Sequence, residues 1–257
     1  MHPAYHFFDC RASYGMRCYR APGSFYRKED LLRRMAEFNI DSALVYHSLS
    51  KEYDPMVGNH MLCREIRDNQ NLFPVWAVQP HYTGEFEAPA KLLEDMKANG
   101  VKALTMFPAP ANQNFSFAEF TCGEIFRLCE EHRIPFFIDM DQMGGIAAVD
   151  WLCAAHPKLP LIVTKVNYRI DRDLYPLLDK YRNFYIEVSG YKPFEGIKNI
   201  CEAQQKSALL YFEDGSVNAA IPPLQVLLHI MAHGHYNGKS LTDPELRQMF
   251  TREYVLN

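Results

Sequence analysis

The chain has 257 residues, 48% of them hydrophobic and 13% aromatic, with 27 Lys and Arg set against 31 Asp and Glu for a net charge of −4. Such a composition supports one sizeable core and argues against disorder, and the interspersed charges leave no basic footprint for nucleic acid or an anionic membrane. Seven cysteines, an odd number with no C-x-x-C pair, read as free thiols in a reducing compartment. The N-terminal stretch "MHPAYHFFDC" has no basic segment followed by an apolar one, and no apolar run is long enough to cross a bilayer. A cytoplasmic protein with no membrane span is the expectation.

Short apolar runs alternate with amphipathic segments along the whole chain. The first strand is predicted over Phe7 to Cys10, followed by the helical pattern "LLRRMAEF" and a second strand from Ser42 to Tyr46. Strands are then predicted at Phe73 to Val78, Val101 to Met106, Phe136 to Asp139, Leu161 to Thr164, Phe184 to Val188 and Ala208 to Phe212. The helices between them include "PAKLLEDMKANG", closed by Asn99-Gly100, "CGEIFRLCEEH", and "AVDWLCAAH", stopped at His156-Pro157. A last helix is expected from Leu241 to Asn257, opened by "SLTDPEL" with Thr242 or Asp243 as N-cap and Pro244 in its first turn.

Eight strands alternating with helices predict an α/β fold, a (β/α)8 TIM barrel spanning residues 1–257 as one domain, with a C-terminal capping helix. The competing open doubly wound sheet would want a glycine-rich turn after the first strand, and "DCRASYG" offers one late glycine. Chemistry in a barrel gathers at the C-terminal strand ends. That places Arg11 and Ser13, His47, His81, Asp139, Lys165 and Asp214 around one pocket.

The order of these pieces resembles the amidohydrolase superfamily, in particular its amidohydrolase-related, metal-dependent-hydrolase branch, which includes decarboxylases and lactone hydrolases. "FFDCRASYG" looks like that family's first strand, "RIPFFIDMD" its fifth, "HPKLPLIVTKVN" its sixth and "ALLYFEDGS" its eighth. The resemblance implies a divalent metal such as zinc, with the two strand-one histidines falling on Arg11 and Ser13, the strand-five histidine on Asp139, the strand-six histidine on Lys165 and the strand-eight aspartate on Asp214. Of those ligand types only the aspartate is kept; Glu213 lies beside it. Family members commonly form homo-oligomers, which is the partner expectation.

Arginine stays protonated, and so does lysine unless strongly desolvated, so neither suits a metal. A fixed cation about 5 Å from a divalent ion opposes it by roughly 6–7 kcal/mol at an effective dielectric near 20. The residues therefore predict a degenerate metal site with no bound metal, a cationic network standing where the family holds its ion. In one reading the protein is a hydrolase or lyase for a small organic acid or lactone. Arg11 and Lys165 then bind a carboxylate or stabilise an oxyanion, Asp214 or Asp139 is the general base, and Ser13, Arg17, His47, His81, Tyr168 and Arg169 contact the anionic substrate. In another, Lys165 is a Schiff-base nucleophile. In a third, the barrel is an inactive binding protein whose ion pairs only neutralise a buried centre. Ordinary metal-dependent hydrolysis through a carboxylate-rich site is the remaining alternative.

Weaker signals sit elsewhere. His229 and His233 are four apart on a predicted helix with His235 two later, a metal-compatible spacing without a catalytic glutamate. Gly144-Gly145 precedes a helix and reads as a turn or a phosphate cradle. Cys10 alternates away from Arg11, which predicts packing outward against the helices, although a cation beside it could lower a thiol pKa.

Overall fold

The computed structural model describes residues 7–19, 26–38, 40–187, 191, 200, 235–236 and 239–240. Its elements follow the expected alternation: β1 Phe7–Tyr14, α1 Lys28–Glu37, β2 Ile40–His47, α2 Ser48–Glu52, α3 Pro55–Ile66, β3 Leu72–Ala77, α4 Pro89–Ala98, β4 Ala103–Thr105 and α5 Glu119–Glu131. Then come β5 Phe136–Asp139, α6 Ala147–Ala155, β6 Leu161–Thr164, α7 Asp171–Lys180 and β7 Phe184–Ile186. A short antiparallel pair, β8 His235–Tyr236 and β9 Lys239–Ser240, stands apart from that sheet. The predicted eighth barrel strand, Asp214 and the closing helix lie outside the described residues.

The seven strands pair in chain order, every pair parallel. Laid flat, β1 and β6 would be five spacings apart, about 24 Å. Yet the Arg11 guanidinium on β1 donates to the Thr164 hydroxyl on β6 at 2.6 Å. The sheet must therefore curl until its ends face each other, giving a TIM-barrel-like α/β wall.

Period-two alternation divides the core into an inside and an outside. Cys10, Leu44, Tyr46, Val75, Ala77, Ala103, Phe107, Phe137 and Ile162 pack together on the inner face, drawn from strands β1 to β6 and the turn after β4. The intervening residues, such as Ala12, Val45, Leu104, Ile138 and Val163, pack outward against the helices. Trp76 is fully buried in that outer layer, its indole N–H 3.2 Å from the Cys63 sulfur on α3.

Two local devices shape the mouth. Pairing of β2 with β3 stops at Pro74, and the fully buried Asn59 of α3 takes over, donating to the Ala77 carbonyl at 2.8 Å and accepting the Ala77 N–H at 3.0 Å. A side-chain amide thus satisfies backbone that no strand covers. Gly15, at φ 113°, ends β1 where an added Cβ would lie 2.4 Å from the Ser48 hydroxyl and 2.7 Å from the His47 ring, so only glycine fits the turn.

Strands β5 and β6 have the predicted bounds, while β1 runs four residues further than expected, through Arg11 and Ser13 to Tyr14. The polar residues that read as a strand end are strand residues facing the interior. Among the described residues, no helix is long and apolar enough to cross a membrane.

Candidate active site

The site begins with an irregularity in β1. Asp9 lies opposite Ala43 and Ala12 opposite Val45, so three steps on β1 match two on β2. The extra residue is a β-bulge, which lets neighbouring side chains face the same way. Cys10 and Arg11 consequently both point inward, correcting the expectation that Cys10 packs outward. Nor is Cys10 an activated thiol: burial, then Asp9 and Glu187, push its pKa well up despite Arg11.

Arg11 is 6% exposed and Asp139 1%. One Arg11 terminal nitrogen pairs with Asp139 Oδ1, and the other donates to Thr164 Oγ1 at 2.6 Å. Thr164 in turn donates to the same Asp139 oxygen at 2.6 Å, closing a triangle. The pairing of β5 with β6 sets this up, because Asp139 and Thr164 are register partners with side chains on the same face. Asp9 steadies the bulge by accepting the Arg11 N–H at 2.9 Å.

Lys165 completes the cluster. It has φ 56°, the left-handed conformation that a non-glycine residue adopts at a cost of about 1 kcal/mol. That turn brings its ammonium back to Asp139 Oδ2 at 2.9 Å and to within 3.6 Å of Asp141. The buried Glu187 accepts a long contact from the Lys165 N–H at 3.4 Å. Burial alone would raise the Asp139 carboxyl, but Arg11, Lys165 and Lys51 outweigh it and hold it well below the usual carboxylate range. Burial likewise opposes the Lys165 charge, yet Asp139 and Asp141 prevail and its pKa is raised. A lysine kept protonated is a poor Schiff-base nucleophile, which removes the support for that reading.

Arg11, Asp139 and Lys165 are thus brought together as one unit. The Arg17 guanidinium donates to the Ser13 hydroxyl at 2.6 Å, forming a second cationic group just past β1. His47 is buried and committed locally: its Nδ1 accepts the Leu49 N–H at 3.2 Å, capping α2, and its ring meets Tyr14 edge-on. Burial, aided by Arg17, lowers its pKa. His81 lies tilted against the Tyr82 ring, centroids 4.4 Å apart, and 3.5 Å from Glu124. Tyr168 and Arg169 are exposed on a short 3-10 turn, where Asn167 caps the Arg169 N–H at 3.0 Å. Gly144 and Gly145 form a positive-φ turn ahead of α6.

Two participants escaped the sequence reading. Thr164 is an ordinary hydroxyl at a strand end, and its one signal is that it follows the inward Ile162 by two. Lys51 sits on the short helix α2, where a lysine reads as solvent-facing; it lies over the Phe107 ring at 5.1 Å.

The donor set does not fit the divalent metal that the strand-end resemblance implies. Of the described residues at ligand positions, Asp139 alone is a strong ligand type, and both its oxygens already face cations. Among the described residues no group of three or more His, Cys, Asp or Glu is placed to hold a metal ion.

Comparison with known proteins gives two different likenesses. Residues 187–256 match the PEPCK-like middle domain family. A PPi-type phosphoenolpyruvate carboxykinase from Propionibacterium freudenreichii subsp. freudenreichii is 46% identical over 63 residues, 24% of this chain and 6% of that protein. The chain therefore spans a small fraction of the length of the curated relative it matches. Solved structures give the other likeness, and it covers most of the chain. An uncharacterized TIM-barrel protein from Bordetella bronchiseptica superposes with a TM-score of 0.59 at 13% identity, covering 87% of this chain and 79% of that one. A dihydroorotase from Campylobacter jejuni gives 0.58 at 14% identity over 96% of this chain and 80% of that one. A probable 2-pyrone-4,6-dicarboxylic acid hydrolase from Acinetobacter baumannii, with citric acid bound, gives 0.57 at 12% identity over 88% and 92%. At these identities the likeness is one of fold: the chain shares a TIM-barrel-like α/β architecture with proteins that include amidohydrolase-type enzymes.

Proposed function

We propose that this chain is an amidohydrolase-like hydrolase or lyase that acts on a small organic acid or lactone without a bound metal. The observation that carries the reading is the Asp139 carboxylate, buried and gripped on one oxygen by Arg11 and on the other by Lys165. A fixed ammonium at a barrel mouth can do the electrostatic work of a Lewis acid, polarising a carbonyl and stabilising the oxyanion that forms.

The roles divide by exposure. Arg11 is enclosed and spends its terminal nitrogens on Asp139 and Thr164, so it positions the carboxylate. Lys165 is 37% exposed and carries three N–H donors, which leaves it able to meet a substrate oxygen while Asp139 holds it in place. Asp139, strongly acidic and doubly paired, is a poor general base and serves as the anchor. A base is still required, and the sequence offers Asp214, within the segment similar to the PEPCK-like middle domain. The neighbour named as a probable 2-pyrone-4,6-dicarboxylic acid hydrolase, with citric acid bound, is in keeping with a small organic acid as the substrate class.

The test is a turnover screen of lactones, cyclic amides and unsaturated carboxylic acids with chelator-treated protein. Turnover that survives chelation and falls about 100- to 1,000-fold in Lys165→Met and in Asp214→Asn supports the reading. Absence of turnover across the panel, or turnover that needs added metal, overturns it.

The match of residues 187–256 to the PEPCK-like middle domain family, beside the 46% identity over 63 residues to a PPi-type phosphoenolpyruvate carboxykinase, favours a second reading for part of the chain: a module shared with those enzymes. We read it as shared sequence without shared activity, because 63 residues are 6% of that enzyme. Carboxylation of phosphoenolpyruvate, assayed with and without phosphate or pyrophosphate, is expected to be absent.

A further inference from the structure

We infer that Lys51 and Thr105 form a carboxylate-binding subsite on the inner wall of the barrel mouth, built against the ring of Phe107. It rests on the organic-acid reading above for the identity of the anion, and on separate residues for its geometry.

Three observations converge there. Thr105, 2% exposed at the end of β4, carries a hydroxyl with no hydrogen-bond partner among the described residues. Its register partners are Ala77 on β3 and Phe137 on β5, both members of the inner cluster, so it faces the barrel interior. A buried hydroxyl left unsatisfied is a cost that an incoming acceptor removes. Phe107, two residues on and fully buried in the same inner cluster, supports the Lys51 ammonium 5.1 Å from its ring centroid. The salt bridges among the described residues give Lys51 no acid partner: Asp139, whose carboxyl Lys51 helps to acidify, is already taken by Arg11 and Lys165. A cation held over an aromatic face without a carboxylate is poised to take one.

The wall selects the kind of anion. Tyr46 lies against Phe107 with centroids 5.6 Å apart, and the Arg11 guanidinium lies 5.6 Å from the Tyr46 ring. One ammonium, one hydroxyl and a broad aromatic surface suit a flat carboxylic acid with an aromatic or conjugated body. Phosphate would gain little from the rings.

Benzoate is the probe, titrated calorimetrically into the full chain without turnover. Wild-type protein is expected to bind it at millimolar concentration and more tightly than inorganic phosphate. Lys51→Met, which keeps the stem over Phe107, should weaken binding about tenfold or more. Thr105→Val should weaken binding several-fold while raising the unfolding temperature, a pairing that a purely structural hydroxyl would not give. Lys51→Gln serves as the second variant if Lys51→Met fails to fold. No binding by wild type, unchanged affinity in the folded Lys51 variants, or tighter Lys51-dependent binding of phosphate would each overturn the subsite. Benzoate binding that depends on Lys51 in a protein with no turnover would leave the subsite standing and count against the catalytic reading alone.

Discussion

The inner face of the sheet and its outer helix layer each hold a charge cluster, and the two are built in opposite ways. Outside, the His156 ring, 4% exposed, sits with Nε2 2.9 Å from Glu119 and Nδ1 3.1 Å from Glu130, at either end of α5. The remaining oxygens are used as well: Glu119 Oε1 accepts from Arg127 at 3.0 Å and Glu130 Oε1 accepts the Lys158 N–H at 2.9 Å. Every group has a protein partner, and the result is a staple between α5 and the end of α6. Inside, Arg11 and Lys165 converge on the Asp139 carboxylate, Asp141 lies 3.6 Å from the Lys165 ammonium, and Lys165 still reaches solvent. An enclosed cluster staples packing; one with a cation at the solvent edge can meet a ligand.

Breaking each cluster should expose that difference. The largest effect is expected from Asp139→Asn, which strands two cations around a neutral amide and should cost about 3–5 kcal/mol in denaturant unfolding. The pH dependence has a definite sign. Because folding depresses the Asp139 pKa, its stabilisation is full above the unfolded value near 4 and is lost as pH falls below it toward the folded value. Lys165 acts in the other direction: its raised pKa contributes stability that is full below about 10.4 and lost as pH rises through the folded value. Acid unfolding of wild type against Asp139→Asn should therefore converge at low pH.

His156→Ala should cost less, about 2 kcal/mol, since one of its acids is half exposed. Benzoate affinity should not change with it, and a change would mean that the outer cluster is coupled to the mouth. Lys165→Met should lower stability by less than about 1 kcal/mol, its side chain being partly solvated, while abolishing most turnover. The smallest effect is expected from Thr105→Val, a gain of up to about 1 kcal/mol in thermal unfolding from removing a buried hydroxyl that has no partner among the described residues.

The sequence pattern exposed the curled parallel sheet more readily than its site. Uninterrupted apolar runs located β5 and β6 to the residue, because "FFID" and "LIVT" are bounded by turn and helix signals. The first strand was cut short at Cys10, since polar residues that continue inside a barrel look like a strand end. Counting by twos also put Cys10 on the wrong face, because a bulge adds a residue without leaving a mark in composition. Arg11, Asp139 and Lys165 could be grouped through the resemblance of the strand ends. Thr164 and Lys51 could not, as their roles depend on strand register and on the placement of a five-residue helix.

Arg11 and Lys165 occupy the two oxygens of the Asp139 carboxylate and leave it closed to a metal ion. Elemental analysis of the purified protein, after growth and dialysis with zinc and manganese, tests that closure most directly. No metal should be retained through Asp139, in wild type or in Arg11→His, since Lys165 still faces the carboxylate in both. Near-stoichiometric metal in the wild type that is lost on Asp139→Ala would contradict it.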